Sequence, residues 1–233
     1  MTQLRTSMME RTDVRVSDQP MARLRNETRE PHRALERTET AQALFSGRIA
    51  RAAYAEVLST FRVAYRALAN ALAISALEPV RALAATLPPR LEWLESDLRV
   101  LDEARARPPA RATGLAEAII DAADRRGVVG AVYVLEGSAL GGQVLVRRLT
   151  EAGAVPRDAL RYYRGLGPET PLAFMAFGQR AEELLASPDD CDDAVVVARR
   201  VFREMHACFD DIGAQRAPED PIASTSHVET ADV

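Results

Sequence analysis

His32 is the only histidine before residue 200, and Glu36 stands four residues after it. On a helix that spacing lets a carboxylate reach an imidazole across one turn. A metal-ligating histidine commonly donates its second N–H to a carboxylate, carbonyl or water, which fixes the tautomer and makes the ring a better ligand. The pair therefore suits an axial metal ligand with its hydrogen-bond partner. Taken alone, His32 reads instead as a packed core residue, because it shares a helical stripe with Leu24, Thr28 and Leu35 that is expected to face inward. Arg25 and Arg29 fall two turns and one turn before it, placed either to pair with carboxylates at the edge of a planar ligand or to form a solvated helix face. Pro31 either kinks a helix that starts near Met21 or opens a new one.

A second candidate lies in mid-chain, in GAVYVLEGSALGGQVLVRRL. The run is apolar with helical period, yet Gly137, Gly141 and Gly142 occupy interior positions where each glycine costs about 1 kcal/mol relative to alanine. A total of about 3 kcal/mol calls for a close backbone approach, by a ligand or by another helix, or for a bend. The bland account is helix packing through the small pair Gly137 and Gly141. A dinucleotide fingerprint is excluded, since the GxGxxG spacing is missing and no strand precedes it. No histidine, aspartate or lysine lies between Gly127 and Thr150, so this face offers backbone and the Ser138 hydroxyl.

The elements that must hold these residues are helical. Apolar positions recur at helical spacing through Tyr54, Val57, Leu58, Phe61, Tyr65, Leu68 and Leu72, and again through Leu91, Leu94, Leu98 and Leu101. No alternating strand pattern appears. Proline and glycine punctuate the chain at Gly47, Pro79, Pro88, Pro108, Gly153 to Pro156, Gly165 to Pro171 and Pro188, which predicts an all-α domain of about eight helices over residues 21–213. Asp189 or Asp190 is expected to cap the last helix, which carries Val197, Val201, Phe202, Met205, Phe209 and Ile212 on one side. Residues 1–20 and 214–233 are polar or Pro, Ser and Thr rich and read as disordered tails.

Composition narrows the chemistry. All 30 basic residues are arginine, which rules out a lysine Schiff base and a Walker lysine. The net charge of -4 and the lack of a basic run argue against nucleic acid. Two cysteines, Cys191 and Cys208, form no ligand or disulfide pattern, and no secretory signal is seen, so a reducing cytoplasmic setting is expected. Cys191 reads as a loop or cap thiol and Cys208 as a core thiol. The most apolar stretch stops at Glu136, and no segment is expected to span a bilayer.

In combination, the HxxxE helix near the start and EGSALGGQ in the middle resemble the proximal and distal helices of heme oxygenases, and YVLEGSALGGQ is closest to the bacterial branch that supplies biliverdin to bacteriophytochromes. Phe202 and Phe209 in VFREMHACF add a likeness to the helix that packs on the heme in that family. The resemblance extends over residues 21–213 and implies heme, as both substrate and cofactor, sandwiched between His32 and the backbone of Gly137, Gly141 and Gly142. It gives Glu36 as the partner of the axial His32, Thr28 as a proximal contact, and Arg25 and Arg29 as positions near the propionates. It also implies O2 and an external electron donor, a ferredoxin or flavoprotein reductase, with cleavage at a meso carbon to biliverdin, iron and CO and a bacteriophytochrome as receiver. Ser138 stands where some family members place an aspartate that organises water. A non-catalytic heme carrier of the same fold shares the need for His32, whereas relatives acting on other small molecules would not need it. His206, on the stripe of Phe202 and Phe209, reads as packing or partial exposure rather than as a second axial ligand.

Overall fold

The computed structural model describes residues 19–101 and 107–214, and they form an all-α bundle with no strand among them. All but three residues of the two expected tails, and His227 with them, lie outside the described residues. Twelve α-helical segments replace the eight expected: α1 Pro20–Glu27, α2 Arg29–Arg37, α3 Glu39–Ser46, α4 Arg51–Ile74, α5 Glu78–Arg81, α6 Arg90–Val100, α7 Ala112–Ile120, α8 Val128–Ser138, α9 Gly142–Ala152, α10 Arg161–Arg164, α11 Thr170–Leu184 and α12 Pro188–Ala214. Some of the extra breaks occur where neither proline nor glycine marks the sequence. Thr38 accepts the Ala41 N–H at 3.2 Å and so starts α3 as an N-cap. Gly47 and Gly153 end α3 and α9 in the left-handed conformation that glycine adopts without a Cβ penalty.

Two long helices organise the rest. α4 packs against α6, α7 and α8, while α12 runs along α7 and α8 and also touches α1, α2 and α3. Tyr54, Leu58, Leu68 and Leu72 of α4 are buried, as are Val201, Phe202, Met205 and Ile212 of α12. At the start of α12 the cap is Ser187, not Asp189 or Asp190. Its hydroxyl accepts the Asp190 N–H at 3.1 Å and donates to the Asp190 carboxylate at 2.7 Å, a reciprocal pair that leaves Pro188 at the first helical position, where a missing N–H costs nothing. Cys191 is correspondingly buried in the first turn of α12, and Cys208 is buried farther along, where burial pushes its thiol up to about 12.

Residues Val128–Ala152 form a helical stretch long and apolar enough to cross a membrane by length and composition, contrary to the expectation that none would. The apolar run stops at the charged Glu136, but in the fold Arg90 pairs with that carboxylate and the helix continues. Most of the stretch is buried inside the bundle, and a 3-10 turn at Ala139–Gly141 bends it.

Asp97 of α6 shows how a buried charge positions an element. Its carboxylate, fully buried, accepts the backbone N–H groups of Arg161 and Tyr162 at 2.9 and 2.8 Å and so fixes α10. Burial nonetheless outweighs these bonds and raises its pKa from 3.8 to about 6. The folded chain then holds this proton more tightly than the unfolded chain, so the Asp97 contribution to stability falls as pH rises from about 4 to about 6. Chemical unfolding across that window should show wild type losing on the order of 2 kcal/mol relative to Asp97→Asn. Parallel curves for the two proteins would contradict it.

Candidate functional site

The proximal side is built at a helix junction. α1 ends at Thr28, whose buried hydroxyl donates to the Leu24 carbonyl at 2.6 Å, and α2 starts at Arg29. Pro31 sets this break: inside a continuous helix its ring would strike the carbonyl four residues back, whereas in the first turn of α2 its missing N–H is one that no carbonyl would have accepted. The next amide, of His32, bonds to the Thr28 carbonyl at 3.0 Å. α1 itself is fastened from outside, through the Met21 N–H on Glu182 of α11, Arg23 on Asp192 of α12, and Glu27 with Arg199 of α12.

His32 is not packed in the core. α2 has no buried residue, and the His32 side chain is 52% exposed, with its open face on a cavity of about 560 Å3. The stripe that begins with buried Leu24 and Thr28 thus turns from core to cavity within one more helical turn. His32 Nδ1 faces Glu36 Oε2 at 3.6 Å, just beyond hydrogen-bond length, which leaves Nε2 as the nitrogen available to a ligand. The ring of Phe202 holds the imidazole edge-on, with centroids 5.4 Å apart and planes at 81°. Phe209 lines the same cavity from one side of α12, beside Phe61 of α4.

At its C-terminal end α8 passes into the 3-10 turn Ala139–Gly141, and the three glycines divide. Gly137 and Gly141 line the cavity, and a Cβ added to either would meet only an aromatic side chain, Phe174 at 3.6 Å or Phe45 at 3.8 Å. Gly142 is buried and faces away from it, its missing Cβ making room for the backbone carbonyl of Tyr163 in α10, so it is a packing residue and not part of the candidate site. Gly130 does the same where α8 crosses α12, against the carbonyl of Ala194. Small-residue packing is therefore real but belongs to Gly130 and Gly142, not to Gly137 and Gly141. Ser138 also lines the cavity, its hydroxyl donating to the Leu135 carbonyl at 2.6 Å.

Arg25 reaches the cavity, while Thr28 and Arg29 line a smaller pocket of about 250 Å3 beside it, shared with His32 and Glu36. Thr28 spends its hydroxyl on the helix junction, and Arg29 donates to the Asn26 side chain at 3.1 Å. Arg33 lines this pocket too and was missed, although Arg25, Arg29 and Arg33 recur every four residues and so share a helix face. Three arginines beside an apolar cavity form a cationic rim suited to carboxylates. His206 is not placed to act as a ligand here: it lies 3.0 Å from Asp210 and does not line the cavity.

A buried network behind α8 also escaped the sequence reading. Arg90 of α6 donates through Nε and Nη2 to Glu136, at 3.2 and 2.9 Å, and the Tyr65 hydroxyl donates to Glu136 at 3.1 Å and to the Leu135 carbonyl at 3.0 Å. The four-residue gap that makes His32 and Glu36 conspicuous has no counterpart here, since the partners come from three helices.

Among the described residues no three His, Cys, Asp or Glu side chains gather into a metal site. A metal on His32 would have to bring most of its own donors, as a macrocycle does. The cavity agrees with such a guest in its apolar lining, in the histidine and glycines that line it, and in its cationic rim. Residues 19–211 match the family model described as heme oxygenase. The chain belongs to the heme oxygenase family. A heme oxygenase from Xanthomonas campestris is 33% identical to it over 123 residues, 52% of this chain and 67% of that protein. The solved heme oxygenase from Leptospira interrogans shares the fold with a TM-score of 0.72 at 17% identity, over 83% of this chain and 99% of that one. Heme oxygenase-1 from the cyanobacterium Synechocystis, solved in complex with heme, gives 0.68 at 16% identity over 84% and 93%. At such identities the likeness establishes the heme oxygenase fold, and the site of this family member rests on its own residues.

Proposed function

We propose that this chain binds heme between α2 and the α8–α9 bend and cleaves it at a meso carbon to biliverdin, iron and CO, consuming O2 and electrons from an external donor. The observation that carries this reading is that a single histidine and two glycines of one helical stretch line the same apolar cavity of about 560 Å3. That volume lies within the usual range for small-molecule sites. When bound, the heme supplies the iron at which oxygen is activated.

His32 would hold the heme iron through Nε2, and Glu36, 3.6 Å from Nδ1, would favour the tautomer that leaves Nε2 free. Phe202 restricts rotation of the imidazole. Arg25, Arg29 and Arg33 provide the cationic edge for the propionates. Gly137 and Gly141 line the same cavity without a side chain, and Ser138, Tyr133 and Tyr163 line it as well.

The finer assignments follow the YVLEGSALGGQ resemblance: a ferredoxin or flavoprotein reductase as donor, a bacteriophytochrome as receiver of biliverdin, and a cytoplasmic setting. The decisive experiment loads the purified chain with heme and adds O2 and a ferredoxin with its reductase. Loss of the Soret band with appearance of biliverdin is expected. A stable oxy complex without bile pigment would make the chain a heme carrier and overturn the enzymatic reading.

A further inference from the structure

The large apolar side chains that remain at the surface are not spread evenly. Nine are exposed among the described residues, and five of them, Phe45, Leu140, Val144, Leu172 and Met175, belong to α3, the turn Ala139–Gly141, α9 and α11. These elements meet, since α3 packs on α9 and α11 on the turn. A Cβ on Gly141 would lie 3.8 Å from the Phe45 ring. Apolar residues exposed singly need no explanation, whereas a group of them does. This group borders the candidate site: Phe45 and Leu140 line the cavity themselves, as does Phe174, which lies between Leu172 and Met175 in the chain.

Charge on the same elements is one-sided. The chain has 34 acidic residues, yet none falls between Glu39 and Glu56, between Glu136 and Glu151, or between Glu169 and Glu182. Those three gaps contain all five apolar residues. Arg48, Arg147 and Arg148 lie in the first two, exposed and without an ion pair among the described residues. They flank one seam, because the end of α3 abuts α9 so closely that a Cβ on Gly47 would lie 2.8 Å from the Arg148 carbonyl.

An apolar patch edged by unpaired arginines and cleared of carboxylates matches a surface that is anionic outside and apolar beneath, which describes the headgroup region of an anionic bilayer. A second copy of the chain fits less well, since a two-fold contact through this face would set arginine against arginine. The side chains, 41% to 65% exposed, stand out from the helices and offer no pocket for a partner protein's anchor residue, and a fluid acyl layer needs none.

We propose that this face, formed by α3, the α8–α9 bend and α11, docks on an anionic lipid bilayer, with the apolar side chains among the upper acyl chains and the arginines among the phosphates. The chain lies on the bilayer and does not span it, because its long apolar stretch Val128–Ala152 is mostly buried in the bundle. The cavity then opens beside the lipid, so an apolar planar guest passes between the two without crossing water. That consequence rests on the function put forward above; the docking itself does not.

The test therefore uses the full heme-free chain, in co-sedimentation with vesicles of equimolar phosphatidylglycerol and phosphatidylcholine or of phosphatidylcholine alone. Binding is expected to the anionic vesicles, weakly if at all to the neutral ones, and to fall as salt is raised. Arg147→Gln and Arg148→Gln should each lower the partition coefficient about fivefold. Val144→Ser and Leu172→Ser should each lower it about threefold or more, with unfolding curves close to wild type because both positions are exposed. Val196→Ser, at an equally exposed apolar position of α12 outside the three gaps, should leave it unchanged. Failure to bind anionic vesicles overturns the proposal, as does an equal loss in Val196→Ser. So does a dimer in solution that Val144→Ser dissociates, which would give the face to a second copy. If wild type binds vesicles but yields no bile pigment, the proposed function falls and the docking face stands; if it opens heme yet ignores the vesicles, the reverse holds.

Discussion

Alanine at position 32 is expected to leave a folded protein that no longer gives the spectrum of histidine-ligated heme, with turnover lowered about a hundredfold or more; truncating the mere partner of a metal-bound histidine already costs about 10–100-fold. The clean separation of fold from function follows from the helix that bears the residue. α2 contributes no buried residue, and the half-exposed imidazole meets the core at the ring of Phe202. Surface-like substitutions of this kind change stability by about 0.5 kcal/mol or less. Optical and resonance Raman spectra of the loaded variant, set beside its unfolding curve, check both halves. A spectrum and affinity unchanged from wild type would remove His32 from the site, and exogenous imidazole should restore part of the ligand signature if the cavity is intact.

The glycines of α8 and α9 should split into two phenotypes when each is replaced by alanine. At Gly130 and Gly142 the new methyl group would overlap a backbone carbonyl, of Ala194 and Tyr163 respectively, and neither α12 nor α10 can yield without shifting a whole element. Overpacking costs about 1–3 kcal/mol and occasionally more, and a clash with backbone belongs at the upper end, so these variants are expected to unfold early or fail to accumulate. Gly137→Ala meets only the edge of the Phe174 ring at 3.6 Å, an ordinary contact. It should fold at least as well as wild type, helped by up to about 1 kcal/mol of helix propensity, and yet bind heme poorly because the methyl group occupies the cavity. Measuring Tm and heme affinity for all three tests this division. Equal destabilisation of Gly137→Ala and Gly142→Ala would mean that the cavity face has been assigned to the wrong glycines.

How far the sequence could be read depends on how local each signal was. The all-α class was legible in the apolar spacing of Tyr54 through Leu72, and His32 with Glu36 was conspicuous because both partners sit on one turn. The helix count was too low in part because a break such as the one at the Thr38 cap rests on a feature that proline and glycine do not mark. Gly142 could not be told from Gly141 along the chain; only the approach of Tyr163 from α10 separates them. The Arg90–Glu136 pair spans 46 residues and joins helices whose adjacency no local pattern encodes. The side on which His32 fell was misjudged for a related reason: a stripe predicts which residues share a face, not whether that face meets a core or a cavity.

The construction of α1 and α2 sets how a guest can leave. The histidine wall is attached to the bundle at its N-terminal end by Leu24 and by the contacts of Met21, Arg23 and Glu27, while α2 rests on α12 and α3 with no fully buried residue, Leu35 being only partly buried against the core. Lifting that wall therefore exposes little apolar area, and its opening free energy is set far below that of global unfolding. Amides of Arg29–Arg37 should exchange with solvent well before those of α4, and added salt, which screens the exposed pairs, should speed them further. In kinetic terms the residence time of a large product is then governed by a few surface charges rather than by the core that shapes the cavity.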